Sequence, residues 1–259
     1  MIQRQFAERV KEILSKDDSV IGVAVGGSWI TNEIDQYSDI DFVFVTKERI
    51  GGDKDKMLAY ANRFGILLSA FTGEHVGEPR LLICLYDDPL LHVDIKFVTL
   101  EEFKTRVETP VVLLDKNDQL KKALADSIAK FPTPEFQWIE DRFWVWVHYG
   151  ATKIRRGEYF EAYDFFAALR LMVLGPLLHI KNGHLPRGVR KAEINFTPEE
   201  LNDLKLTLTG YDHQSLVDCL KNAISLYRKL RKSIFDDTVK FRKEAEQKVT
   251  EYVAGCEGH

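Results

Sequence analysis

Apolar positions in the first half of the chain switch between two periods. Between residues 2 and 16 they fall at Phe6, Val10, Ile13 and Leu14, one face of a helix. The apolar run Val20–Val25 then stops at Gly26-Gly27-Ser28, where a turn and a new helix start are expected. Asp39–Val45 reads as a second strand, and its Phe42, Val43, Phe44 and Val45 are apolar on both faces, as in a strand covered on both sides. A helix is expected from Asp55 to Arg63. Ile66–Phe71, Arg80–Tyr86 and Leu90–Val98 are three more strands, the last two joined by the hairpin-turn signal Asp87-Asp88-Pro89. Thr109–Asp115 reads as the final strand, with a helix from Gln119 to Lys130.

Phe131-Pro132-Thr133-Pro134 then breaks the pattern, because two prolines in four residues end a helix and favour an extended link. Beyond it the strand period nearly vanishes. Segments 135–156, 158–181, 198–208, 212–235 and 236–254 carry helical periodicity, broken by glycine, proline and Asn182-Gly183. The expected fold class is therefore α+β: a mixed-sheet domain over residues 1–130, followed by an all-α helical bundle over 135–259. The apolar segment 165–180 is read as too short to span a bilayer and is interrupted by Arg170, Gly175 and Pro176, so a buried helix of a soluble protein is expected. The first eighteen residues lack the unbroken apolar stretch of a signal peptide.

Composition changes this picture little. The 259 residues are 45% hydrophobic and 29% charged, ordinary values for a globular protein. A net charge of −4 argues against gripping long nucleic acid, which requires neutralising many phosphates. Cys84, Cys219 and Cys256 are scattered without metal-binding spacing, a usage that suits the reducing cytoplasm.

The chemistry concentrates around the second strand. Alternation puts Asp39 and Asp41 on one face, roughly 7 Å apart along the chain. Carboxylates beside a buried strand must be paired, protonated or bound to a cation. In Leu90–Val98, the residues His92, Asp94 and Lys96 share the face opposite Val93, Ile95 and Phe97. If that strand lies beside Asp39–Val45, Asp94 completes a trio suited to Mg²⁺, which takes oxygen ligands and bridges carboxylates to substrate phosphates. Gly26-Gly27-Ser28 lets backbone N–H groups and a hydroxyl approach a phosphate, and a helix start there would add a favourable dipole. Together these describe a nucleotide–Mg²⁺ site, in which Lys96 either offsets the carboxylates or contacts phosphate.

Gly27-Ser28, then Asp39-Ile40-Asp41, then Asp94 resembles the nucleotidyltransferase superfamily that includes DNA polymerase beta. Within it, Val111–Lys116, the helical second half and Arg156–Ala162 resemble the aminoglycoside and lincosamide adenylyltransferases and their uncharacterised relatives. The resemblance implies that Asp39 and Asp41 bind Mg²⁺, that Gly27 and Ser28 hold the triphosphate of ATP, and that Asp94 is a further metal ligand or the base. The implied reaction moves a nucleoside monophosphate, AMP above all, to a hydroxyl of a small molecule, such as an aminoglycoside- or lincosamide-like antibiotic. In the helical half, Glu161 is the first candidate for acceptor recognition or base, with Arg190 and Lys191 as candidate triphosphate contacts. The aromatic group Phe136, Trp138, Phe143, Trp144, Trp146 and Tyr149 is expected to pack the bundle. A monomer or homodimer fits this reading, and no membrane partner is expected. The competing expectation is a non-catalytic or protein-modifying module on the same fold, a toxin–antitoxin component or a regulatory nucleotide binder.

Overall fold

The computed structural model describes residues 1–256. The chain forms two compact units, Met1–Phe131 and Pro132–His259.

The first unit is a mixed sheet with helices on both faces. Helix α1 (Ile2–Ser15) buries Gln3, Phe6, Ala7, Val10 and Leu14, a stripe at helical spacing. Strands β1 (Val20–Val25) and β2 (Ile40–Thr46) follow. Helix α2 (Lys54–Ala61) is capped by Asp53, which accepts from the Lys56 N–H at 3.2 Å. Next come β3 (Ile66–Gly73), β4 (Glu78–Asp87), β5 (Leu91–Thr99) and the short helix α3 (Leu100–Lys104). β6 (Val111–Asp115) and α4 (Gln119–Ala125) complete the unit. The two oxygens of Asp115 accept the Leu120 and Lys121 N–H groups at 2.9 and 3.0 Å, so this aspartate starts α4.

The strand order is β3-β4-β5-β2-β1-β6. β2 and β5 run parallel, while the other neighbours are antiparallel, so the sheet is mixed as expected. Ile40, Phe42 and Phe44 of β2 and Val93, Ile95 and Phe97 of β5 share one core with Phe6, Val10 and Leu14 of α1 and Met57 of α2. A smaller core on the other face joins Ala24, Val45 and Val98 to Phe103 of α3 and Leu120 and Ala123 of α4. Helices thus cover one face, while the other face is covered where Val45 and Val98 lie.

Three expectations change here. The segment after Gly26 is a three-residue 3₁₀ turn, Gly27–Trp29, and not the start of a helix, so the dipole argument for Ser28 lapses. The helix expected to reach Lys130 ends at Ala125. Asp39 lies just ahead of β2 and not within it. Helix α3 was unforeseen, although its capping box, Thr99 with Glu102, is a sequence signal.

The second unit is helical throughout its described residues. Its helices are α5 (Phe136–Arg155), α6 (Tyr159–Leu169), α7 (Gly175–Lys181), α8 (Ala192–Asn195), α9 (Pro198–Lys205), α10 (His213–Ile234) and α11 (Lys243–Ala254). Arg170–Leu174 joins α6 to α7 as a π-helical turn. The helical run Tyr159–Lys181 is therefore 23 residues, long and apolar enough to pass for a membrane span, which corrects the length read from 165–180. Its Ala162, Phe166, Leu169, Val173, Leu174, Leu177 and Leu178 belong to the core of this unit, as in a buried helix. Phe143 and Trp144 are buried there too, and Phe143 stacks on Tyr227 with centroids 3.6 Å apart. Trp138 and Tyr149 stand at the surface, so the aromatic group packs only in part. The helix expected from residue 236 begins instead at Lys243.

Candidate active site

The parallel pairing of β2 with β5 sets Asp41 directly opposite Asp94, on the face away from Phe42 and Ile95. Val43 and Lys96 follow in the same register, and beyond them Val45 and Val98 enter the smaller core. The two acids thus mark the uncovered end of that face. The backbone pairing fixes the spacing of their Cα atoms.

The β1–β2 loop closes over Asp41. The Gly26 N–H donates to the Asp41 carbonyl at 2.8 Å. Gly27 has φ +58°, and a Cβ built on it would sit 2.1 Å from Asp41 Oδ2. Position 27 therefore needs glycine twice over, for its left-handed backbone and for the carboxylate against it. Ser28 Oγ next door is enclosed without a hydrogen-bond partner, and so is Asp94 Oδ1. His92 Nε2 stands 3.0 Å from that oxygen, without the alignment of a hydrogen bond.

Burial, and then the charge of Asp39, hold the Asp94 carboxyl above its ordinary range, against the opposing pull of His92. Among the described residues, no three His, Cys, Asp or Glu side chains are arranged to hold a metal ion. The donor chemistry nevertheless fits a hard divalent cation: Asp41 and Asp94 stand side by side, Asp39 is near enough for its charge to act on Asp94, and one Asp94 oxygen is enclosed without a hydrogen bond.

Lys96 shares the face, but its ammonium is engaged. It lies 2.7 Å from Glu78 Oε2, and Arg80 grips the same carboxylate with two bonds of 2.7 Å. Arg80 first, and Lys96 with it, bring the Glu78 carboxyl down to about 2.

The remaining candidates belong to the second unit. Glu161 opens α6, accepts a short hydrogen bond from the Tyr149 hydroxyl, and lies 2.9 Å from Lys153 Nζ. These partners, Tyr149 foremost, hold its carboxyl down at about 2, and Lys153 also pairs with Glu158 at 2.7 Å. Arg190 and Lys191 are exposed on the segment leading into α8. That segment is pressed onto α7 through Gly175, where a Cβ would meet the Gly188 carbonyl at 2.2 Å.

Sequence reading missed Gln3, Arg4 and Trp29, which surround the same β1–β2 loop. Gln3 carried a signal: it is an amide in an apolar stripe, at a position where Phe6, Ala7 and Val10 predict another apolar side chain.

No protein of curated function matches the chain. Among solved structures, an aminoglycoside 6-adenyltransferase from Bacillus subtilis is similar, with 14% identity over 99% of each chain and a TM-score of 0.43. The family model of streptomycin adenylyltransferase matches residues 2–256. The chain belongs to that family and is an adenylyltransferase, an enzyme whose substrates are a nucleotide and a small-molecule acceptor.

Proposed function

We propose that the protein transfers AMP from ATP to a hydroxyl of an aminoglycoside, with release of pyrophosphate. The observation that carries this reading is Asp41 and Asp94 in register across the parallel pair, with Gly27 seated on the Asp41 carboxylate. Gly27 and Ser28 offer the triphosphate backbone N–H groups and an enclosed hydroxyl that takes no hydrogen bond within the chain. Asp39, Asp41 and Asp94 would hold Mg²⁺, which when bound neutralises phosphate charge and orients the leaving pyrophosphate.

Asp94 has a second role open to it. Its raised affinity for a proton suits a base that accepts the hydrogen of the acceptor hydroxyl. Catalysis then rests on positioning and on charge set in place beforehand. In the second unit, Glu158 and Glu161 already hold an ammonium, that of Lys153. This chemistry suits recognition of an amine-bearing acceptor and agrees with the family's named substrate. Three buried free cysteines support work in the cytoplasm.

The test is pyrophosphate release from ATP and Mg²⁺ across a panel of aminoglycosides. Asp39→Asn and Asp41→Asn are each expected to lower turnover roughly 100-fold or more while leaving thermal unfolding intact. Wild-type turnover retained in both variants would sink the proposal.

A further inference from the structure

We propose that Gln3 and Arg4, in the first turn of α1, are positioning residues that lock the β1–β2 loop bearing Gly27, Ser28 and Asp39. The proposal rests on the transferase reading for its consequence, but the lock itself is a matter of contacts. Gln3 is 2% exposed, and its Nε2 donates to the Ser38 carbonyl at 2.9 Å, immediately before Asp39. Its Oε1 is enclosed and takes no hydrogen bond. A methionine would fill the same stripe without burying an unsatisfied carbonyl, so the amide's justification is its donor.

Arg4 holds the other arm of the loop. Its Nη2 donates to Asn32 Oδ1 at 2.9 Å, and its guanidinium lies 5.3 Å from the centre of the Trp29 ring. Asn32 itself has φ +56°, a left-handed conformation that asparagine tolerates better than most residues.

Between these anchors the loop is tied to itself. The Glu33 N–H donates to the Ser28 carbonyl at 2.9 Å, and Asp35 and Ser38 close a turn through the Ser38 hydroxyl at 3.0 Å. The Gly26–Asp41 hydrogen bond ties the base of the loop to β2, and Gln3 and Arg4 tie its outer part to α1. Gln3 holds the Asp39 end and Arg4 the Trp29 end. The helix that packs the core thereby also sets the distance between phosphate cradle and acid.

The experiment compares wild type, Gln3→Met and Arg4→Ala in the full-length protein by amide hydrogen exchange, thermal unfolding and steady-state kinetics. Exchange at Gly26, Ile30 and Glu33 is expected to quicken about tenfold in each variant, with exchange in β4 and β5 unchanged. The thermal midpoint moves by no more than about 3 °C. The kcat falls roughly tenfold while KM for the acceptor stays, because the loop serves the nucleotide side. Unchanged exchange in the loop overturns the proposal. So does faster exchange throughout the unit with a lower midpoint, the mark of a merely structural role. A wild type silent on every acceptor, with loop exchange still quickened, upholds the lock and removes the transferase reading instead.

Discussion

Gly27→Ala is the most informative single change. The added Cβ would stand 2.1 Å from Asp41 Oδ2, and real Cβ atoms essentially never come within 3.0 Å of another heavy atom, so the carboxylate or the loop must give way by about 1 Å. The backbone adds its own resistance, because φ +58° in a residue with a side chain costs about 1–2 kcal/mol. Stability should therefore fall by roughly 1–3 kcal/mol, a loss the first unit can survive with its two cores intact. Activity should fall further. A displacement of about 1 Å at a reacting centre costs on the order of 100-fold in rate. The assay is pyrophosphate release at saturating ATP, Mg²⁺ and acceptor, alongside urea unfolding of the same preparation. A Gly27→Ala protein within threefold of wild type in kcat would refute the argument that the loop backbone is fitted to the Asp41 carboxylate.

Other expectations follow from the charges. Asp94→Asn should abolish transfer yet stabilise the chelator-treated protein at pH 7, since burial and Asp39 disfavour its ionised form. A carboxyl raised in the folded state costs stability only once ionised, so the variant's advantage should shrink as pH falls through the raised value towards the ordinary 3.8. Equal thermal midpoints at pH 4 and pH 8 would contradict it. In the second unit, Glu140 is fully buried and accepts from Trp144, Tyr227, Arg231 and the Arg242 N–H. Glu140→Ala removes the shared acceptor of all four donors and leaves Arg231 with Glu246 alone, and should cost roughly 3–5 kcal/mol in denaturant unfolding.

The strands were legible because their apolar runs end at glycine, proline or paired aspartates, as at Val25-Gly26 and Asp87-Asp88-Pro89. The carboxylate face was legible for a simpler reason: strand alternation leaves Asp41 and Asp94 no choice of side once their neighbours are core. The register of β2 against β5 was not legible, since strands far apart in the chain can pair in many offsets, and only the folded sheet puts Asp41 opposite Asp94. Helix termini suffered most. Nothing local distinguishes Ala125 from Lys130 as an end, because the helix stops where its burial stops. Lys96 shows the same limit for function: its face was readable, but its engagement with Glu78 depends on β4 lying alongside.

The parallel β2–β5 pair also bears on how the protein matures. Its acids come from strands separated by a helix and a hairpin, so they meet only after a non-local pairing of the sheet has formed. Before that event the chain holds a strand whose carboxylates repel without a partner strand to order them. Nucleotide competence should then arise late and all at once during refolding, making ligand capture a gauge of sheet closure.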